Sequence, residues 1–471
     1  FVSGVANLTS LGLKFTGTSG AGTFTFTPVS GTAATSSSVT VNPGAATRLV
    51  VTGTGTQTAG ASNSITITAK DVSGNTVTTY TGSKNLTFSG ATSSTAPVTT
   101  PKVTNSSATD IAFGTATALT FASGTVTTNM KLYNVESAVV AVTDGSISAA
   151  GADRLTVAVS ASTMTKLAVS LTSPQINGTA FTGTNTLTAQ DAYGNTVTTF
   201  AANTNNVTVT TSLTGTVSGL GSGVNNVLNQ AGDFVSGVAN LTSLGLKFTG
   251  TSGAGTFTFT PASGTAATSS SITVSPGTAT KLVVTGTGTQ TAGGSQTVTV
   301  TAQDASGNTA TTYTGAKNIT FSGATASSSP VTNPTVAATN FGTATSLTFT
   351  AGVATGSMIL YKAESATVNA TDGTINSNTG GTLNVTVSPS TMTKLAVSLT
   401  SPQINGTAFT GTNTLTAQDA YGNTVTTFAA NTNNVTVTTS LTGTVSGLGS
   451  GVNNVLNQAG DFVSGVANLT S

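Results

Sequence analysis

The decapeptide FVSGVANLTS occupies residues 1–10, returns at 234–243 and forms residues 462–471. Phe1 to Phe234 is a step of 233 residues and Phe234 to Phe462 one of 228, so two long repeats of nearly equal length account for almost the whole chain. Ser162–Ser243 is matched letter for letter by Ser390–Ser471. A catalytic domain gains little from an adjacent duplicate of itself, whereas a fibre or stalk gains length with each copy. Repetition on this scale predicts a mechanical or scaffolding role.

Within the repeats the hydrophobic period is two. In TVTVTA, Val298, Val300 and Ala302 share one face and Thr297, Thr299 and Thr301 the other; KLAVSL does the same with Leu167, Val169 and Leu171. β-branched residues on the polar face fit half-buried antiparallel sheet. TFTFTP at 23–28 and 256–261 ends in a proline, which stops a ladder. Helix-period stretches of useful length are absent.

Each long repeat divides into two related units. Both open on a similar strand (TRLVVTG from Thr47, TKLAVSL from Thr165), and both carry an alternating strand that runs into a D-x-x-G-N turn. The turn occurs at Asp71–Asn75, Asp191–Asn195, Asp304–Asn308 and Asp419–Asn423, and F-x-x-G follows later in each complete unit, at Phe121–Gly124, Phe234–Gly237 and Phe349–Gly352. Unit A spans about 44–159 and 277–387. Unit B spans 160–276 and begins again at 388. Residues 1–43 are the C-terminal part of another B, because 11–43 correspond to 244–276, and 388–471 are the N-terminal part of one. Two explanations fit: a longer polypeptide trimmed to one structural period, or separate chains that complete one another by strand exchange. The first is expected here, because open sheet edges at both ends of a free protomer invite aggregation.

Composition removes most alternatives. With no Cys and no His, a thiol nucleophile, a disulfide framework, a Cys/His zinc site and an imidazole base are excluded. Charged residues are 5% of the chain and the net charge is +1, which gives no handle for nucleic acid or an anionic membrane. Hydrophobic residues make up 37%, enough in regular alternation to fold rather than stay disordered. No apolar run approaches the roughly 20 residues that span a bilayer. Export signals and anchors are expected outside these residues, and the expected compartment is extracellular or the cell surface.

Units of this length with short strands at regular spacing predict an all-β chain of tandem Ig-like sandwiches, about seven strands each, in an elongated array. The motifs TAKDVSGNTVTTY, TAQDAYGNTVTTF and TAQDASGNTATTY, with the later FVSGVANLTS and FTAGVAT, resemble those of bacterial Ig-like repeats of the invasin/intimin type and of giant surface adhesin and filament proteins. The resemblance covers every unit. It implies an Ig-like fold and a surface role, and leaves open whether the domains act as spacers, adhesin tips or lattice elements.

Several side chains are candidates for chemistry. Asp71, Asp191, Asp304 and Asp419 are weak calcium candidates at domain junctions; the simpler expectation is an Asx turn in which Asp accepts backbone N–H groups and Gly takes positive φ. No cofactor other than that calcium is expected. Lys166 and Lys394 sit where some adhesin domains form Lys–Asn crosslinks, but the equivalent A positions are Arg48 and Lys281, and arginine does not form that bond. Asn-x-Ser/Thr sequons at Asn7, Asn85, Asn105, Asn177, Asn206, Asn240, Asn318, Asn369, Asn384, Asn405, Asn434 and Asn468 are candidate glycosylation sites. Tyr80, Tyr193, Tyr313 and Tyr421 offer a sugar platform or, more simply, packing at a sandwich end. No nucleophile–base pair or phosphate loop emerges, so no enzyme is expected. The expected function is a structural segment of an extracellular fibre, sheath or surface layer, whose partners are copies of itself. The rival is the stalk or binding module of an adhesin that recognises glycans or a host surface.

Overall fold

The computed structural model describes residues 1–220, 226–448 and 454–470. Period two in sequence becomes alternate burial in space. Along Ser62–Lys70, Asn63, Ile65, Ile67 and Ala69 are buried while Ser64 is exposed, and Ser295–Gln303 buries Val298, Val300 and Ala302. The outward positions are Thr and Ser, whose branched or short side chains suit a pleated surface facing water.

The first A unit is a sandwich of two five-stranded sheets. One carries, in spatial order, Asp110–Ala112, Lys102–Thr104, Thr125–Lys131, Ser62–Lys70 and Arg48–Gly53; the other carries Ala116–Phe121, Gly82–Ser89, Ser137–Thr143, Leu155–Ser160 and Thr56–Thr58. The chain crosses between sheets right after Gly53. Arg48–Gly53 pairs antiparallel with Ser62–Lys70, then Thr56–Thr58 pairs parallel with Leu155–Ser160. A first strand split between two sheets over Greek-key pairings is an Ig-like sandwich. The second A unit repeats this order from Lys281 to Ser388. These A units therefore exceed the expected seven strands, because short pieces such as Thr56–Thr58 and Lys102–Thr104 add to both sheets. Among its described residues, unit B is built from smaller sheets of three, three, four and two strands. Helical structure among the described residues is limited to the 3-10 turns Gly151–Asp153 and Ala231–Asp233.

Among the described residues, buried apolar side chains fall into four separate clusters. One is centred on Ile65, Phe88 and Val140, one on Phe181, Phe248 and Phe259, one on Val300, Phe321 and Met358, and a smaller one on Ala417, Phe428 and Phe462. The first three fill complete units; the last belongs to residues 392–469, and the described residues of 1–43 form none. Separate cores predict separate unfolding. Phe88→Ala removes a fully buried ring from the first A unit alone and is expected to cost about 3–5 kcal/mol. In differential scanning calorimetry one transition moves down while those of B and the second A hold; a uniform shift of the whole endotherm contradicts modular cores.

Candidate functional site

The recurring D-x-x-G-N turn lies where one unit meets the next. Its local geometry is the same in all four copies. In the first, Asn75 N–H donates to Asp71 Oδ1 (2.8 Å), Gly74 N–H donates to the Asp71 carbonyl (3.1 Å), and Gly74 sits at φ +86°. The turn strains most side chains at that position, and glycine relieves it.

Asp and Asn then divide two tasks. Asp fastens the entry of its own unit: Oδ2 accepts the backbone N–H of Gly44 at Asp71, Ser162 at Asp191, Gly277 at Asp304 and Ser390 at Asp419, at 2.9–3.0 Å. Asn fastens the unit before. Asn195 donates from Nδ2 to the Tyr133 carbonyl (2.8 Å) and accepts the Val135 N–H at Oδ1 (2.9 Å). Asn423 does the same with Tyr361 (2.8 Å) and Ala363 (2.7 Å), Asn308 with Gly250 (2.8 Å) and Ser252 (2.9 Å), and Asn75 with Gly17 (2.9 Å) and Ser19 (2.8 Å). One carboxamide thus imitates a strand residue, offering N–H and C=O together to alternate residues of the preceding unit. A third bond locks the Asn rotamer, from Asn195 Nδ2 to Asp191 Oδ2 (2.9 Å), with counterparts at the other three turns.

The two kinds of junction differ in what surrounds this clasp. Where A precedes B, the turn carries Tyr193, whose ring packs on Tyr133 with centroids 4.9 Å apart; Tyr421 and Tyr361 repeat the contact at 5.0 Å. The ring fits because Gly60 is glycine: a Cβ there would fall 2.1 Å from the Tyr193 hydroxyl, and one at Gly293 would fall 2.2 Å from that of Tyr421. Lys166 Nζ donates to the Ala96 carbonyl and Lys394 Nζ to that of Ser329, both in loops of the preceding A unit. Those ammonium groups brace a junction. Where B precedes A, Ser306 replaces the tyrosine, and Asn177 donates to Asp304 Oδ2 (2.9 Å) while accepting Gly250 N–H (2.9 Å).

The carboxylates respond to this wrapping. At Asp71 the Asn75 side-chain bond leads in holding the carboxyl below its ordinary range. At Asp304 and Asp419 burial pushes upward, but donors led by Asn308 and Asn423 respectively outweigh it, and both stay low. Each of the four oxygen pairs faces N–H donors, the opposite of what a cation requires. No cluster of three or more acidic groups exists among the described residues.

The other tyrosines serve their own units. Tyr80 OH donates to Asp144 and Tyr313 OH to Asp372, each at 2.6 Å, with edge-on contacts to Phe121 and Phe349. These are the phenylalanines of F-x-x-G, so that motif packs on the tyrosine that ends TAKDVSGNTVTTY and TAQDASGNTATTY in each A unit. Burial, then the carboxylate bond, pushes both phenols well above their usual value.

Of the sequons, Asn7, Asn85, Asn206, Asn240, Asn318, Asn384, Asn405, Asn434 and Asn468 are exposed, and Asn105 and Asn369 are half-buried. Asn177 is buried, with its amide nitrogen on Asp304, so a glycan there is incompatible with this junction. The described cleft beside the first A–B junction, about 450 Å³, is lined by residues such as Thr58, Met164 and Phe200 and carries no ionisable side chain.

No family model matches the chain, and comparison with curated proteins finds no match. Solved structures similar to it include invasin, described as a bacterial integrin-binding protein, at 15% identity over 79% of this chain and 67% of that one, TM-score 0.27. Surface layer protein SbsC, domains 1–6, is 15% identical over 87% of this chain, TM-score 0.21, and InvD of Yersinia pseudotuberculosis is 18% identical over 55% of this chain and 71% of that one, TM-score 0.25. The chain spans about half (49%) of the SbsC fragment. These neighbours are the bacterial surface repeats that the sequence motifs resemble. The superpositions are loose, so tandem Ig-like architecture rests on the strand order given above.

Asn195→Ala removes both bonds to the preceding unit and is expected to weaken that joint by about 1–3 kcal/mol. Amide exchange at Val135 should rise roughly tenfold or more while that of core Leu187 is unchanged; equal protection at Val135 contradicts the clasp. Acid should act likewise. The low carboxyls contribute stability in full above the unfolded value of about 3.9, and that contribution fades as pH falls through their depressed folded values. Loosening of the joints by small-angle scattering is expected only well below pH 4; loosening already at pH 5 is inconsistent with these shifts.

Proposed function

We propose that this chain is a structural, non-enzymatic segment of an extracellular fibre, sheath or surface layer, built from Ig-like units that extend end to end and cohere. The observation that carries this reading is the clasp itself: the same Asp and Asn perform the same two tasks at all four junctions. Built-in joint chemistry, repeated without variation, is what a load-bearing string needs and what a free-standing binding module does not. Low charge and Thr-covered strands favour close lateral packing without electrostatic repulsion. No helix among the described residues is long and apolar enough to cross a membrane.

The joints need no calcium in this proposal, because N–H donors already occupy the carboxylates. Excess EDTA is therefore expected to leave the thermal transitions and scattering profile unchanged; a drop in transition temperature restored by calcium would overturn that part. Electron microscopy of the purified protein tests the whole. Regular filaments or sheets support the scaffold, whereas isolated flexible strings that bind a glycan array support an adhesin stalk.

A further inference from the structure

With no Cys, Trp or His in the chain, its six tyrosines are the side chains most readily oxidised by one electron. The fold sorts them into two kinds. Tyr80 and Tyr313 each donate the phenol to a carboxylate, Asp144 or Asp372, and meet a phenylalanine edge-on. Tyr133 with Tyr193, and Tyr361 with Tyr421, meet another tyrosine instead, one from each side of an A–B joint. Every tyrosine outside a carboxylate bond is therefore a member of a tyrosine pair.

The two pairs share one geometry. Ring centroids lie 4.9 and 5.0 Å apart, with the planes inclined at 58° and 59°. In each, the hydroxyl edge of the ring from the D-x-x-G-N turn occupies the slot left by Gly60 or Gly293, where a Cβ would fall 2.6 or 2.5 Å from its Cε2. The clasp fixes the backbone on both sides of the contact. Asn195, two residues after Tyr193, donates to the carbonyl of Tyr133 itself, and Asn423 donates to that of Tyr361. Tyr133 is 7% exposed and Tyr193 half-buried, so an electron leaves by way of Tyr193 while Tyr133 is sheltered from other chains.

We infer that the A–B joints are sites of dityrosine formation, closed covalently by hydrogen peroxide acting through a one-electron oxidant of the haem peroxidase class. Each phenol loses one electron and its proton. The two phenoxyl radicals then join in a new C–C bond between ring carbons ortho to the hydroxyls, and the two displaced ring hydrogens move to the phenol oxygens as both rings regain aromaticity. One hydrogen peroxide is reduced to two waters. Two phenols already held in contact couple with each other before either meets a second chain. The bond spans two units in a chain that has no cysteine for a disulfide. B–A joints stay unlinked, because Ser73 and Ser306 stand at the place of the turn tyrosine.

The crosslink is independent of lateral assembly, so its failure leaves the scaffold reading in place. Its test is treatment of the dilute 471-residue chain with hydrogen peroxide and a haem peroxidase, beside the paired variant Tyr193→Phe/Tyr421→Phe. That variant keeps both rings and both clasps and removes only two phenols, so its circular dichroism should match the parent's. The parent is expected to gain blue dityrosine fluorescence while still running as a single chain in denaturing electrophoresis. Tandem mass spectrometry of its digest should join Tyr133 to Tyr193 and Tyr361 to Tyr421, with two hydrogen atoms lost per bond. The variant should lose the intrachain fluorescence. A parent without dityrosine, bonds that run mainly between chains, equal yields at Tyr80 or Tyr313, or a variant that keeps the intrachain signal overturns the inference.

Discussion

The architecture depends on a pair of hydrogen bonds from one carboxamide to the main chain of the unit before it. Sandwich cores make each unit stable, and the Asn of D-x-x-G-N is the contact to the preceding unit that all four joints share. That Asn is held by the Asp four residues earlier, which also receives the entry strand of its own unit. The turn, the entry and the joint are thus one network, and losing the carboxylate loosens all three. Buried and fully partnered, such a network specifies a single arrangement more sharply than apolar contact alone.

Two joints of different surroundings share this clasp. Joints with A in front add a stacked tyrosine and a lysine bond to a loop carbonyl; joints with B in front substitute an asparagine–aspartate contact. The tyrosine joint brings aromatic area that the other lacks, which is worth about 0.5–1.5 kcal/mol beyond simple burial. Stiffness should therefore alternate along the chain.

Much of this was legible in the residues. Period two announced strands, and the D-x-x-G-N and F-x-x-G motifs marked equivalent positions in each unit. The packing of Phe121 from F-x-x-G on Tyr80, five residues after the turn, was not announced, although both residues stood in recognisable motifs. Two- and three-residue strands such as Thr56–Thr58 escaped because so short a piece carries no period to detect. The clasp partners escaped for a deeper reason. Asn bonds to main-chain groups, so Gly17 and Ser19 serve as well as Tyr133 and Val135, and nothing in those side chains betrays the contact. The one available signal was the Asn itself, since Asp and Gly already suffice for the turn.

Gly60 and Gly293 carry a consequence for how such a chain changes over generations. Each leaves a slot that only Tyr193 or Tyr421 fills, and the A units offer Ser73 and Ser306 at that place in the turn. A swapped order, with two A units adjacent, would set a serine opposite an empty slot. Recombination among near-identical gene segments readily adds or deletes copies. Only exchanges in whole two-unit steps would preserve every joint, so the chain can lengthen or shorten in pairs while its phase is kept.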